Sequence, residues 1–118
     1  MEVKIEQIPV PAASDLLLVA IAGRLDTATA PQFDAQLAPL LAQPHPHILL
    51  DLSAVSYISS AGLRSILQLV KHAAAHAGRV GLFGAPPHIM EVVEISGFPS
   101  LLDVFPDRTA AIGNRTAT

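Results

Sequence analysis

Four serines lie close together in the middle of the chain, in the segment from Leu50 to Leu63 that reads LDLSAVSYISSAGL. A serine hydroxyl acts as a nucleophile when an adjacent base activates it, and it can also accept a phosphate. The segment contains too few basic or metal-ligating side chains to form a catalytic site. An α/β-hydrolase places its serine in a Gly-x-Ser-x-Gly turn, whereas Ser60 lies in Ser-Ser-Ala-Gly. We therefore expect no catalytic residue here and predict that the protein is not an enzyme.

Ser59 and Ser60 stand where a predicted strand and loop lead into a predicted helix. A side-chain oxygen at this point can accept a hydrogen bond from a free backbone N–H group of the first helical turn. The simplest role of either serine is therefore to cap the helix. The helix itself is indicated by an apolar stripe at 3.6-residue spacing, formed by Leu63, Ile66, Leu67, Val70, Ala74 and Ala77 and ended by Gly78.

The same position also suits a phosphate. A dianion at a helix N-terminus faces the positive end of the helix dipole and free N–H donors, so its addition need not unfold the domain. It would change the local surface by roughly −1.5 to −2 charges and three acceptor oxygens. Open α/β sheets also place their binding sites just beyond the carboxyl ends of strands. A regulatory site is thus the alternative to a plain helix cap.

Apolar runs and helical stripes alternate along the chain in the order β-β-α-β-α-β-α-β. This order predicts an α/β domain with a mixed, mostly parallel central sheet, right-handed crossovers, an antiparallel N-terminal edge and about four helices. We expect this domain to cover residues 1–112 and residues 113–118 to form a frayed C-terminal tail. The predicted strands are 3–8, 16–23, 47–52, 79–83 and 101–105, and residues 53–60 are predicted to form a loop. The predicted helices start at Thr27 or Thr29, at Ser59 or Ser60, at Pro87 and at Asp107. The last of them is predicted to end at Ile112.

Composition restricts the class of protein. Hydrophobic residues make up 51% of the 118 residues and charged ones 14%, which is typical of a folded domain and not of a disordered chain. There are no cysteines, and no apolar run reaches the roughly 20 residues that cross a bilayer. The first residues lack the pattern of a secretion signal. We therefore expect a cytoplasmic protein without membrane insertion.

Several classes of ligand find no support in the sequence. A net charge of −3 with seven scattered Lys and Arg residues offers no basic stripe to nucleic acid. His72 and His76 share a helical face but lack a third metal ligand, and His45 and His47 have no nearby cysteine or carboxylate. Neither a P-loop nor a dinucleotide-binding glycine motif is present. We expect no nucleic-acid partner, no metal and no cofactor.

Three motifs stand in register with the predicted elements. They are Gly23-Arg24-Leu25-Asp26 before the first helix, Asp51-Leu52-Ser53 followed by Ile58-Ser59-Ser60-Ala61-Gly62-Leu63 before the second, and Ser96-Gly97-Phe98 after the third. Together they resemble the signature of the STAS family, the sulfate-transporter and anti-sigma-factor-antagonist domains. The resemblance extends over nearly the whole chain.

This resemblance implies a set of site residues. In the family, the phosphate acceptor is the serine or threonine two positions before a Gly-Leu pair, which is Ser60 here. Ser59 stands where many antagonists carry aspartate. The resemblance also implies that Asp26 contacts the partner beside the acceptor, the alternative being an aspartate that caps the first helix. Gly62 and Leu63 complete the predicted partner-binding set, since they are expected to set the close approach and packing of the helix start.

The resemblance also implies partners. An anti-sigma factor with a histidine-kinase-like ATPase fold would bind ATP and phosphorylate Ser60, and a metal-dependent serine phosphatase would reverse the reaction. Without the phosphate, the chain would bind the anti-sigma factor and so release the sigma factor. The alternative function is that of a STAS adaptor that is never phosphorylated, in a lipid-transport complex or a stressosome-like assembly.

Overall fold

A mixed five-stranded sheet organises the chain. The computed structural model describes residues 1–10 and 15–116. The strands lie side by side in chain order, with β1 antiparallel to β2 and the other neighbours parallel, which confirms the predicted sheet with its antiparallel edge. The elements are β1 (Glu2–Ile8), β2 (Leu16–Leu25), α1 (Ala30–Leu41), β3 (His47–Ile58), α2 (Ser60–Ala75), β4 (Arg79–Phe83), α3 (Pro87–Ile95), a 3₁₀ turn (Phe98–Ser100), β5 (Asp103–Phe105) and α4 (Arg108–Thr116).

The helices are divided unequally between the two faces of the sheet. Parallel strands in chain order, joined by crossovers of one hand, place their connecting helices on one side. Accordingly, α1, α2 and α3 pack on one face in a core that contains Phe33, Ile66 and Val93. Helix α4 packs on the other face, where Ala111 joins a smaller core with Leu49. In the described residues, no helix combines the length and apolarity that crossing a membrane requires.

The apolar run of β2 lies at the centre of the sheet. Its residues Leu16 to Val19 are each at most 3% exposed, and successive side chains point to opposite cores. Leu17 faces the large core under α1 and α2, whereas Leu18 faces the smaller core beneath α4. This confirms that the run forms an inner strand buried on both faces, as continuous apolar strands do in parallel sheets.

Strand β3 extends beyond its predicted end, and the predicted loop after Leu52 is wrong. The strand continues to Ile58 and pairs with the end of β2, with two register shifts that each insert an extra residue into β3. Because of these bulges, Leu52, Val55 and Ile58 all point into the core although they are three residues apart. That spacing hides the two-residue period of a strand, which is why the sequence indicated a loop.

The C-terminal elements also differ from their predicted bounds. The last strand begins at Asp103, because residues from Phe98 first form a 3₁₀ turn. Helix α4 runs to Thr116 instead of ending at Ile112. A single glycine costs a helix only about 1 kcal/mol, so Gly113 does not end it. The division into a domain at 1–112 and a tail stays a prediction, and its last two residues lie outside the described part of the chain.

Candidate functional site

The predicted site forms where the carboxyl ends of β2 and β3 meet the start of α2. We call residues 58–62 the serine turn. The backbone N–H of Ser59 donates to the carbonyl oxygen of Leu25 at 3.0 Å, which ties this turn to the end of β2. Gly62 is buried, and a Cβ atom added there would lie 2.5 Å from the same carbonyl oxygen. The close approach predicted for Gly62 is therefore present, and it holds Leu25, the residue before Asp26, against the serine turn.

Ser59 is the residue that caps α2. Its backbone is extended, with φ −93° and ψ 175°, and its side-chain oxygen accepts a hydrogen bond from the N–H of Gly62 at 3.3 Å. Its carbonyl oxygen accepts from the N–H of Leu63 at 2.9 Å, which begins the helical hydrogen-bond pattern. Of the two serines that could cap the helix, Ser59 is the one that does so.

Ser59→Ala is expected to lower the free energy of unfolding by about 1 kcal/mol, because it removes a helix cap. Ser60→Ala is the matched control and is expected to change it by less than about 0.5 kcal/mol, since that side chain is exposed. Urea unfolding of both variants measures the difference. Equal losses in the two variants would contradict the assignment of the cap to Ser59.

Ser60 is the first residue of α2, and its side chain is exposed. Within the described residues, its hydroxyl makes no hydrogen bond, and the backbone N–H groups of Ser60 and Ala61 find no backbone acceptor. These are the donors that a helix start leaves free for a capping group or an anion. The structure thus places an accessible hydroxyl next to two unused N–H donors at the positive end of a helix dipole.

Asp26 organises the turn that leads from β2 into α1. One of its carboxylate oxygens, Oδ1, accepts from the N–H groups of Ala28 at 3.0 Å and Thr29 at 3.2 Å, and the other accepts from Nε of Arg24 at 3.1 Å. Thr29 occupies the N-cap position of α1 without capping it through its side chain, because its hydroxyl oxygen accepts from the N–H of Asp26 at 2.9 Å while its proton is donated to the carbonyl oxygen of Arg24. The structure thus supports the alternative of a structural aspartate, and a partner contact by Asp26 stays a prediction.

The ionisation of Asp26 is favoured by its neighbours. The Arg24 guanidinium holds the pKa of the Asp26 carboxyl below its ordinary value; partial burial opposes this, and the hydrogen bonds from Thr29 and Ala28 reinforce it. A carboxyl group whose pKa falls on folding stabilises the folded state above its unfolded pKa, and this contribution is lost as the pH falls through the folded pKa. The Asp26 turn is therefore expected to loosen in acid.

Asp26→Asn is expected to lower the urea midpoint of unfolding at pH 7, and the difference from the wild type should shrink as the pH falls into the acidic range. The amide keeps an acceptor oxygen for the turn but loses the ion pair with Arg24. Asp34→Asn, on the exposed side of α1, provides the control and should leave the midpoint unchanged at each pH. A deficit for Asp26→Asn that stayed constant with pH would show that charge is not the cause.

Residues that the sequence did not single out also border the serine turn. The guanidinium of Arg24 lies 4.3 Å from the ring centroid of Tyr57, which is 43% exposed. A ring nitrogen of His88, on α3, lies 3.0 Å from the carbonyl oxygen of Ser56. Arg24 belongs to a recognisable motif, but its stacking on Tyr57 depends on the unpredicted extension of β3. The contact of His88 with Ser56 joins residues that are 32 positions apart, so no local sequence pattern predicts it.

The remaining predicted residues take plain structural positions. Leu63 is half-buried and packs against the large core, as expected for a residue that fixes the helix start. The rings of His72 and His76 stack with their centroids 4.4 Å apart. Within the described residues, His, Cys, Asp and Glu side chains form no group of three or more that could hold a metal ion.

Comparison with known proteins identifies the family. The family model described as the STAS domain matches residues 7–111. The protein BtrV of Bordetella bronchiseptica, named as a candidate anti-sigma factor antagonist, is 38% identical over 96 residues, which cover 81% of this chain and 83% of BtrV.

Solved structures show the same fold. The unphosphorylated form of the anti-sigma factor antagonist SpoIIAA superposes with a TM-score of 0.72 at 18% identity and covers 98% of both chains. The phosphorylated form of SpoIIAA, a cell fate determinant of Bacillus, superposes with a TM-score of 0.69 at 20% identity, over 96% of this chain and 98% of SpoIIAA. Identities this low establish the fold alone, whereas the family model and BtrV establish the family. The chain belongs to the STAS domain family.

Proposed function

We propose that this chain is an anti-sigma factor antagonist that is switched by phosphorylation of Ser60. The observation that carries the proposal is the state of Ser60, the first residue of α2, whose exposed hydroxyl makes no hydrogen bond to any residue that the structure describes. Ser59 already serves as the cap, so the helix start does not need the hydroxyl of Ser60. The relationship to BtrV supports the regulatory role.

A phosphate on Ser60 fits the surroundings of the serine turn. The free N–H groups of Ser60 and Ala61 and the dipole of α2 would favour the added negative charge, so the fold would tolerate it. The phosphate would change the affinity for a partner more than the stability of the fold, because its charge lies on an exposed surface that a partner must desolvate. The phosphate therefore acts as a switch of binding.

The proposed binding surface surrounds Ser60. Ser59 and Asp26 supply its side chains, and the hydrogen bond between Ser59 and Leu25 joins the segments that carry them. The buried Gly62 and the half-buried Leu63 would act from beneath, by setting the position of the helix start. In this proposal the chain itself catalyses nothing and needs no cofactor. The partner is an anti-sigma factor with a histidine-kinase-like fold that binds ATP, a serine phosphatase removes the phosphate, and all three act in the cytoplasm.

A competition assay tests this function. The unphosphorylated chain is added to a complex between a sigma factor and the anti-sigma factor from the same genome, and the release of the sigma factor is followed by fluorescence anisotropy. The proposal predicts release at stoichiometric concentrations of the chain. A chain that binds none of the anti-sigma factors of its genome, but copurifies with a transporter or a large STAS assembly, would establish the adaptor function instead.

A further inference from the structure

The outer edge of β1 is open. Strand β1 pairs with β2 on one side, and in the part of the chain that the structure describes no strand pairs with its other side. Proteins commonly block such edges with proline, with bulges, with a covering element or with charged side chains, above all lysine. Lys4 is the device of this kind in β1, and it opposes any added strand that does not offer it a carboxylate. The seven residues of β1 contain no proline, their pairing with β2 has no bulge, and Ile5 at the centre is 44% exposed. The strand is therefore able to accept another strand.

Symmetry limits how a second copy can use this edge. A closed dimer that continues the sheet has a two-fold axis perpendicular to the sheet, and the two copies of β1 then run antiparallel with one residue lying opposite its own copy. Ile5 is the midpoint of Glu2–Ile8. If Ile5 lies on the axis, all seven residues of β1 pair with β1 of the other copy. If any other residue lies on the axis, fewer residues pair.

The charges of β1 complement one another in this register. Lys4 of each copy lies directly opposite Glu6 of the other, which forms two cross-strand pairs of opposite charge. A register centred on Lys4 would oppose two lysines, and one centred on Glu6 would oppose two glutamates. A register centred on Val3 would pair Glu2 with Lys4 but would overlap only three residues of the strand. Overlap and charge thus select the same register.

The side chains around this edge also suit a second copy. Glu6 binds Arg108 at 3.0 Å, whereas Lys4, two residues away on the same face, makes no ion pair in the described residues. In the dimer, the partner's Lys4 would approach Glu6 from its open side, so that two cations would flank one carboxylate. On the opposite face, Ile5 would contact the partner's Ile5, which would remove the exposed apolar surface from water.

We propose that the chain forms a two-fold symmetric homodimer through β1, in the register centred on Ile5, with a continuous ten-stranded sheet. This inference goes beyond the proposed function and does not depend on it. The axis reverses the strand direction, so the two serine turns lie at opposite ends of the joined sheet. Each Ser60 stays exposed, and each subunit remains able to bind its own partner.

Charge exchange tests the interface. Sedimentation equilibrium of the wild type is expected to show a reversible dimer, and Lys4→Glu or Glu6→Lys alone is expected to weaken it at least about tenfold, because like charges then lie opposite each other. An equimolar mixture of the two variants should recover the dimer, since the acidic pair of one chain then faces the basic pair of the other. Lys71→Glu, on α2, is the control that should leave the dimer intact. A monomeric wild type at about 100 μM, or a dimer that none of these changes weakens, would overturn the proposal.

A disulfide test fixes the register. The chain has no cysteine, so Ile5→Cys introduces the sole thiol, and oxidation should link two chains through the residue on the axis. Gln7→Cys is the matched control. In this register Gln7 lies opposite Val3, and its two copies are about 13 Å apart along the strands, which is too far for a disulfide. Equal linkage through both positions would contradict the register.

Discussion

Ser60→Asp is expected to weaken binding of the chain to its anti-sigma factor by roughly 100-fold, which corresponds to about 2.7 kcal/mol. The added carboxylate imitates part of the charge of a phosphate on a surface that the partner must cover. A charge buried in an interface costs several kcal/mol unless the partner supplies a counter-charge; Arg64, one helical turn after Ser60, offsets only part of this cost because its side chain is exposed. Titration calorimetry with the purified partner measures the effect.

Two controls separate charge from shape. Ser60→Ala removes a hydroxyl that makes no hydrogen bond within the described residues, so its affinity should stay within about threefold of the wild type. Ser100→Asp adds the same charge to an exposed serine in the 3₁₀ turn before β5, away from the serine turn, and should have a much smaller effect. If Ser60→Asp bound as tightly as Ser60→Ala, Ser60 would not be the switch.

Gly62→Ala is expected to lower the free energy of unfolding by about 2 kcal/mol, although alanine is the better helix former. The new methyl group would lie 2.5 Å from the carbonyl oxygen of Leu25 and 2.9 Å from the Cγ atom of the same residue. The backbone oxygen cannot move without disturbing the hydrogen bond that it accepts from Ser59. The start of α2 would have to shift away from the end of β2, which would also displace the serine turn.

Gly113→Ala is the matched control for this substitution. Gly113 also lies in a helix, but an added Cβ atom there meets no atom of the described residues within 4 Å. Its expected effect is therefore neutral or slightly stabilising, up to about 1 kcal/mol, because alanine is favoured over glycine in a helix. Thermal or urea unfolding of the pair gives the comparison. A loss of stability that is equal at both positions would contradict the close approach at Gly62.

Local signals predicted the regular elements well. The continuous apolar run from Leu16 to Ala22 could be recognised as an inner strand because parallel sheets bury both faces of their strands. The stripe of α2 was recognisable for a similar reason, since its buried residues recur at helical spacing. In these segments, local periodicity and tertiary burial follow the same pattern.

The end of β3 shows where such signals fail. Its two bulges are determined by pairing with β2, so Val55 and Ile58 point inward at a spacing that fits no regular strand. The extension matters for the site, because it places Tyr57 under Arg24 and brings Ser56 to His88. Contacts of this kind depend on the neighbouring elements and are not encoded in any short segment.

At the site itself, the residue types were predictable but the division of roles was not. Both Ser59 and Ser60 have the chemistry of a helix cap, and only the extended backbone of Ser59 decides between them. Asp26 likewise suited either a partner contact or a cap, and its hydrogen bonds with Ala28 and Thr29 reveal the structural role. Geometry therefore assigned the roles within a set of residues that the sequence had already selected.

Phosphate transfer to Ser60 by the anti-sigma factor is the decisive experiment for the proposed switch. The purified chain is incubated with its anti-sigma factor and ATP, and the intact mass is followed for the wild type, Ser60→Ala and Ser59→Ala. We expect one added phosphate on the wild type and on Ser59→Ala, and none on Ser60→Ala. A phosphate that persists in Ser60→Ala, or a wild type that forms a stable complex with the ATP-loaded partner yet never gains mass, would contradict the proposed switch.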